Sequence, residues 1–462
     1  MASPFRALIA LTVALAASLA GSLAGAAPTV VEGLARQAVL GFRTTEAPAG
    51  LQVESLDAAA PAARAGLANG DVITAIGGQP FARPYVGQAM LIRLDGGVPV
   101  ELSVQRAGGR STLRFTPVAR PLERVDGVET VYGSAAVAGN VRLRTLVSRP
   151  SGVSGALAPI LFTQWVSCGS TEYRAGSNSL EILARLARHS GAAVVRVDRA
   201  GSGDSEGPAC HELDYDTEVA HYVEAFDRVL RTDATLDRTR IVVMGSSLGS
   251  TVAPLVARGL EERGHRIAGV TVNGGGAVTY FERMLNFDRY YLERRPAEVA
   301  PDAIDAALAQ LVLFQVEYLI RGRSPDDIVR DNPAMAAARA NVRGLGDGEH
   351  YGRPYAYHQQ AARRNFLQAW TALRTAHVLA VYGEYDQFES RHGHELIAHM
   401  VNRVRPGAAR FVALARIDHD NDLHPTLESA YAFSDRGVPA IEVYLEAVYE
   451  WLRGDVGIRP PT

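Results

Sequence analysis

The chain has 462 residues, an apolar fraction of 47% and a formal net charge of −3. That is length for two or three units with packed cores, and it lacks the basic excess of a nucleic-acid binder. All 47 basic side chains are arginine, since the sequence contains no lysine, which excludes a Ser–Lys dyad, a Schiff-base lysine, a pyridoxal-phosphate anchor and a Walker lysine.

Residues 1–26 carry Arg6, an apolar run from Ala7 to Ala20, and Ala24-Gly25-Ala26. This is the three-part layout of a secretory signal with a small-residue cleavage site. The run is short of the ~20 residues a membrane span needs, and no cysteine follows it for lipid attachment. The expectation is an exported protein, periplasmic or secreted, with no stable membrane insertion after signal removal and no other segment long and apolar enough to span. Cys168 and Cys210 are the two cysteines and neither sits in a CxxC pair, so no zinc or redox motif is expected.

From about 36 to 118 the pattern is of short strands. Leu51-Gln52-Val53 and Asp71 to Ile76 read as strands, Pro61 to Leu67 as a one-turn helix ending at the Asn69-Gly70-Asp71 turn, and Val98–Val104 with Ser111–Phe115 as a hairpin. The runs Ala60-Pro61-Ala62-Ala63-Arg64-Ala65-Gly66-Leu67, Gly70-Asp71-Val72-Ile73 and Ile76-Gly77-Gly78 resemble a PDZ domain of the bacterial secreted type. Val39-Leu40-Gly41-Phe42 is similar to that family's carboxylate-binding loop, with valine where its first glycine stands. The resemblance implies that backbone N–H groups around Leu40, Gly41 and Phe42 cradle a peptide's terminal carboxylate. The peptide would add as a strand beside a helix near Pro84–Arg93; a PDZ-shaped spacer that binds no peptide is the plainer alternative.

After a proline-marked linker, Pro117–Pro121, strand and helix alternate from about 126 to 456. Strands are expected at Ala158–Thr163, Ala192–Val197, Ile241–Met244, Ile267–Val272, His377–Tyr382 and Arg410–Leu414. Helices are expected at Ser179–Arg188, Glu218–Leu230, Thr251–Arg263 and Val438–Leu452. Such alternation implies a mostly parallel sheet covered on both faces, with its site beyond the carboxyl ends of the strands. The organising stretch is Ile241-Val242-Val243-Met244-Gly245-Ser246-Ser247-Leu248-Gly249-Ser250. Here G-x-S-x-G joins a strand to a helix, the setting of a nucleophile elbow with Ser247 at its tip. Without lysine, its base has to be histidine or a carboxylate.

Asp198-Arg199-Ala200-Gly201-Ser202-Gly203-Asp204-Ser205-Glu206-Gly207, the elbow and two later loops resemble the α/β-hydrolase superfamily over this whole region. Within it the chain is most similar to bacterial esterases and the neighbouring serine aminopeptidase and prolyl-peptidase-like branches. The second G-x-S-x-G, around Ser205, is followed by Pro208 and Cys210 rather than a helix, and the resemblance makes it a structural turn. The family's order is Ser, acid, His. Gly383-Glu384-Tyr385-Asp386 is similar to its acid turn, giving Asp386 as acid with Glu384 and Glu389 as weaker candidates. His419 in Arg416-Ile417-Asp418-His419-Asp420 fits the histidine, with His424 as the alternative. The oxyanion donors expected are the N–H of Leu248 and that of Trp165 or Val166. Family members usually carry His-Gly where this chain has Gln164-Trp165. Cys168 and Cys210 lie on loops at neighbouring strand ends, so a disulfide between them is expected at the rim of the site, with two buried free thiols as the alternative.

Residues 279–368 interrupt the strand pattern and are rich in aromatics (Tyr280, Phe281, Phe287, Tyr290, Tyr291, Phe314, Tyr318, Tyr351, Tyr355 and Tyr357). In this fold such an insertion is usually a helical cap, and most of the rings are expected to pack the cap itself. His394 and His399 are five apart, one too many for H-E-x-x-H, and on a helix they point about 140° away from each other. No metal and no cofactor are expected. The reading is an exported serine hydrolase acting on a small-molecule carboxylic ester, with a PDZ module for a peptide or protein end. The alternatives are a peptidase on the same residues, using Glu282, Glu293 or Glu317 for a charged terminus, and a non-catalytic PDZ adaptor.

Overall fold

The computed structural model describes residues 29–30, 33–81, 83–294, 300–432 and 437–460, so the expected leader at 1–26 lies outside the described residues. Strands β1 (Phe42–Ala47), β2 (Gly50–Leu56), β3 (Val72–Ile76), β4 (Val100–Arg106) and β5 (Gly109–Phe115) follow one another across an antiparallel sheet. Helices α1 (Pro61–Arg64) and α2 (Pro84–Ile92) both begin on proline, whose missing N–H costs nothing in a first turn. Leu51, Val53, Ile73, Leu102 and Val104 alternate inward and close a small core with Leu91. β1 is left as an edge with α2 beside it, and Gln88 Nε2 of α2 donates to Thr44 Oγ1 of β1 at 2.9 Å. The loop Leu40-Gly41-Phe42 leads into that edge. Gly41 has φ +73°, and a Cβ there would lie 2.4 Å from Ala60 Cβ, so glycine is required.

The large unit opens with a hairpin not anticipated from the sequence, β6 (Val128–Val137) and β7 (Val141–Pro150), paired antiparallel through a turn containing Gly139 and Asn140. It continues with β8 (Ala158–Thr163), α3 (Asn178–His189), β9 (Ala192–Val197), α4 (Tyr215–Thr232), β10 (Ile241–Ser246), α5 (Gly249–Glu262) and β11 (Ile267–Asn273). After the cap come β12 (His377–Gly383), α9 (Arg391–Val404), β13 (Ala409–Leu414) and α10 (Ile441–Trp451). The sheet order is Thr29–Val30, β6, β7, β9, β8, β10, β11, β12, β13, parallel from β9 onward and antiparallel at the hairpin. The sheet is therefore mixed.

Every residue of β8 and β9 is buried, because side chains leave both faces alternately. Leu161 joins the core under α4, α5 and α9, while Ile160 and Phe162 join the one under α3 and α10. The closing helix starts later than expected, at Ile441: Val438–Pro439 instead pairs with Asp422–Leu423.

Between β11 and β12 the chain forms the cap, with α6 (Tyr280–Arg294), α7 (Pro301–Gln315, continued to Ile320 by a π turn) and α8 (Tyr355–Ala362). One expectation is overturned here. Ala303–Ile320 is long and apolar enough, by length and composition, to cross a membrane. Its residues Leu308, Leu311, Phe314, Tyr318 and Leu319 instead serve the core.

The two units meet through ion pairs and the cap. Arg36 bridges Glu172 and Asp204, Arg93 donates to the Gly207 carbonyl at 2.8 Å, Arg83 to the Asp347 carbonyl at 2.6 Å, and the Tyr85 and His211 rings lie 5.5 Å apart. Arginines also sit inside the large unit. Arg144, Arg196, Arg199 and Arg353 are buried, facing Asp204, Glu123, Glu218 and Glu218 respectively.

Cys168 and Cys210 form a disulfide with Cα atoms 5.7 Å apart across 42 residues, tying the loop after β8 to the loop after β9. Closing a loop of that size removes about 4 kcal/mol of unfolded-chain entropy. Cys168→Ser is expected to lower stability by about 2–4 kcal/mol, read as a lower urea midpoint. An unchanged midpoint with and without reductant would mean that the bridge adds nothing.

Candidate active site

β10 delivers Ser247 onto the helix α5. Its φ of +52° is left-handed for a residue with a side chain, a conformation costing about 1–3 kcal/mol that persists only where surroundings impose it. They do so through close packing: a Cβ on Gly245 would lie 2.4 Å from Gly249 O, and one on Gly249 would lie 2.1 Å from Thr163 O. The Ser247 N–H is held by Asn273 O at 2.7 Å.

The side chain of Ser247 meets its expected partners. Ser247 Oγ donates to His419 Nε2 at 2.9 Å, and His419 Nδ1 donates to Asp386 Oδ2 at 2.8 Å. Asp386 Oδ1 accepts the N–H groups of Phe388 at 2.8 Å and Glu389 at 2.9 Å. Burial alone would raise the Asp386 carboxyl, but the His419 ring and these amides hold it below the ordinary carboxylate range. Burial likewise opposes the charged form of His419, yet the Asp386 charge and hydrogen bond prevail and push its pKa up to about 9. Gly274 packs behind the ring, where a Cβ would lie 2.7 Å from His419 Cε1. Its N–H donates to His394 Nε2 at 3.1 Å, while His394 Nδ1 donates to Ser390 O at 2.9 Å.

The loop after β8 is shaped by Arg199, whose role was not apparent from the sequence. Its guanidinium donates to the carbonyls of Gln164 (3.3 Å), Trp165 (2.5 Å), Val166 (2.9 Å) and Ser167 (3.1 Å). In a trans peptide the N–H points opposite the C=O, so the N–H groups of Trp165, Val166 and Ser167 face away from Arg199. Trp165, Val166 and Leu248 line the same cavity as Ser247. Leu248 stands at the start of α5, where first-turn N–H groups lack helical partners.

Sequence comparison over this region decides the family. The pattern described as the alpha/beta hydrolase family matches residues 164–434, more than half of the chain. The chain belongs to the alpha/beta hydrolase family. A PDZ domain pattern matches residues 52–106 of the hydrolase. No curated protein matches the sequence. Among solved structures, an esterase from Pyrobaculum calidifontis is 19% identical, covering 72% of this chain and 86% of its own, with a TM-score of 0.39. A thermostable esterase from Pseudomonas putida is 16% identical over 73% of this chain and 84% of its own, with a TM-score of 0.38. The metagenomic carboxylesterase EstE1 is 19% identical over 72% and 90%, with a TM-score of 0.40.

In this hydrolase the alternative candidates are engaged elsewhere. His424 Nε2 pairs with Asp418 at 3.0 Å, Glu384 lies 3.5 Å from Arg391, and Glu389 pairs with Arg283. Ser205 Oγ donates to Asp198 O at 2.7 Å and accepts the Arg144 N–H at 2.8 Å, the bonding of a turn. Glu282 caps its own helix through Thr279, Glu293 pairs with Arg289 and Glu317 with Arg321. His394 is buried and His399 exposed on α9, and among the described residues no cluster of three metal-ligating side chains occurs.

A cavity of about 430 Å³ lies over Ser247 between the loop after β8 and the cap. Phe388 packs its ring 4.7 Å from His419 and 4.7 Å from Phe287. Gln387, also missed in the sequence, accepts the His419 N–H at 3.3 Å and donates to Ala430 O at 2.8 Å, tying the histidine loop to the acid turn.

Proposed function

We propose that the protein is an exported serine hydrolase that cleaves carboxylic esters, with Ser247 as nucleophile, His419 as base and Asp386 as the acid that orients it. The observation that carries this reading is the continuous Ser247–His419–Asp386 hydrogen-bonded chain, with links of 2.9 and 2.8 Å. Ser247 Oγ attacks the ester carbonyl carbon as its proton passes to His419 Nε2. The oxyanion is met by the N–H of Leu248 and by that of Trp165 or Val166, a contribution of about 3 kcal/mol per donor. His419 returns the proton to the departing alkoxide, leaving an acyl ester on Ser247. Water then attacks that ester, gives its proton to His419, and the acid leaves as Ser247 recovers its hydrogen.

Charge in the cavity favours esters over peptides with a free amino terminus. Arg174 and Arg283 line it, Asp420 is its sole acidic lining residue among the described residues, and Glu282, Glu293 and Glu317 are spent elsewhere. An ammonium group would enter beside the Arg174 guanidinium, the Arg283 charge being taken up by Glu389. Export is supported by the leader-like residues 1–26 and by the Cys168–Cys210 bridge, which persists in an oxidising compartment. The PDZ edge at β1, with Leu40, Gly41 and Phe42 at its head, is read as a receptor for a peptide end.

The test is turnover of p-nitrophenyl esters beside aminoacyl anilides, together with labelling by a fluorophosphonate. Ester turnover with labelling is expected. Rapid anilide release with negligible ester turnover would reverse the substrate class, and an unlabelled, inert protein would leave a PDZ adaptor.

A further inference from the structure

Helix α2, which flanks the groove along β1, is fastened to the hydrolase unit at both ends. Just past its carboxyl end Arg93 donates to Gly207 O at 2.8 Å. Just before its first turn Arg83 Nη1 donates to Asp347 O, in the cap, at 2.6 Å. A Cβ on Gly348 would lie 2.1 Å from Arg83 Nη1 and 2.8 Å from Tyr85 Oη. A bare glycine there lets the cap come down onto the start of α2.

The stretch of cap that α2 meets also belongs to the catalytic cavity. Glu349–His350 pairs antiparallel with Arg353–Pro354, and the turn between them carries Tyr351. The stretch is braced internally. Tyr351 N–H donates to Gly344 O at 2.8 Å, while Tyr355 Oη donates to Gly346 O at 2.6 Å and accepts the Gly348 N–H at 2.7 Å. The Tyr351 ring stacks on that of His350, lies 6.1 Å from the Phe287 ring, and forms part of the cavity wall with it. Only His350 and Glu349 separate Tyr351 from the glycine pressed against α2.

The groove is bridged from the same helix. Gln88 Nε2 donates to Thr44 Oγ1 at 2.9 Å and to Thr44 O at 3.3 Å on β1. A chain added to the open edge of β1 would run about 4.8 Å from it, in the space this amide crosses. The Gln88–Thr44 contact and a seated peptide therefore exclude each other. α2 has one position with the bridge made and another with the groove filled, and Arg83 and Tyr85 travel with it. A ligand that prefers one of two such states biases whatever else depends on them, and the coupling is reciprocal.

We propose that a free carboxyl-terminal chain end seated in the PDZ groove is felt at the ester site, through α2 and the 344–354 stretch of the cap. The inference rests on the serine-hydrolase and peptide-receptor readings given above, and adds the regulation of one site by the other. Because the stretch bears on the cavity wall through Tyr351, the effect falls on KM more than on kcat.

The test uses the full chain and octapeptides carrying an amino-terminal fluorescein and a free terminal valine, leucine or phenylalanine. Apolar ends are chosen because half-buried Leu40 and Phe42 head the groove. Binding is read by anisotropy, and turnover with p-nitrophenyl butanoate. At least one peptide is expected to bind and, at saturation, to change kcat/KM about fivefold or more, while its amidated counterpart does neither. Arg83→Ala combined with Tyr85→Phe removes the guanidinium and the hydroxyl that meet the cap. This variant is expected to bind the peptide and to lose most of the effect on turnover. By reciprocity, protein labelled on Ser247 with a cavity-filling fluorophosphonate is expected to bind the peptide with an affinity shifted by about the same factor. The proposal is overturned by a bound peptide that leaves kcat/KM unchanged, by an equal effect from the amidated peptide, by an effect that survives whole in the double variant, or by a peptide affinity unmoved by labelling. The failures are distinguishable. A labelled, active enzyme that binds peptide without responding loses only the coupling. An active enzyme that binds none of the peptides loses the receptor reading with it, and an unlabelled, inert protein loses the hydrolase reading with it.

Discussion

Ser247→Ala is expected to lower ester turnover by about 10⁶-fold, the scale of removing the nucleophile from a triad, and to abolish fluorophosphonate labelling. The fold should survive. Ser247 occupies a strained left-handed position, and its hydroxyl bonds only His419 among the contacts described. Tm is therefore expected to stay near the native value while activity disappears. Residual turnover within tenfold of native would mean that another residue performs the attack. Ser205 is not available for it, since its hydroxyl is committed to Asp198 O and the Arg144 N–H.

Asp386→Asn should cost about 10⁴-fold in kcat by releasing the His419 tautomer. It should also change two pH dependences. The base must be neutral to accept the serine proton, so native kcat/KM rises with pH on a limb displaced above the ordinary histidine value toward about 9. Without the carboxylate that holds it up, the limb moves to lower pH. The same raised pKa stabilises the fold. That stability is fully present below the unfolded value of about 6.5 and is lost as pH climbs through about 9. Asp386, held below its ordinary range, adds stability above its unfolded value that is lost as pH falls through the folded one. Denaturant midpoints across pH 6–10 should thus fall in the native protein and stay flatter in Asp386→Asn. An acid limb unmoved by the substitution would assign the profile to another group.

The elbow was legible because its signals are local. Four β-branched or apolar residues, a glycine on each side of the serine and a helix-forming run all lie within a few positions, and the structure places Ser247 on that turn. Asp386 and His419 were legible for the same reason, each following a strand of strong β character. The β6–β7 hairpin carried a fainter signal. Val128, Thr130 and Tyr132 alternate inward, but Gly133-Ser134-Ala135-Ala136 dilutes the pattern before the turn. The start of α10 was misjudged because Val438 and Pro439 look apolar and continuous with the helix, whereas they pair with another strand. Arg283 with Glu389, 106 residues apart, and Arg199 on the loop after β8 had no local signal. Long-range ion pairs are set by tertiary packing, and neither residue differs in composition from the many exposed arginines. The aromatic cap divides in a way that spacing could not foresee: Tyr280, Phe287 and Tyr351 reach the cavity, Phe314 and Tyr318 are consumed inside the cap, and Tyr357 packs on Tyr215 of α4.

Buried lysines, had they stood where Arg144, Arg196, Arg199 and Arg353 do, would begin to discharge near their free value of about 10.4, or lower once desolvated. Guanidinium keeps its proton throughout that range. The interior charge pattern is consequently frozen over the alkaline interval in which His419 gives up its own proton. Alkaline medium can then take the proton from His419 without discharging the guanidinium side of these buried ion pairs.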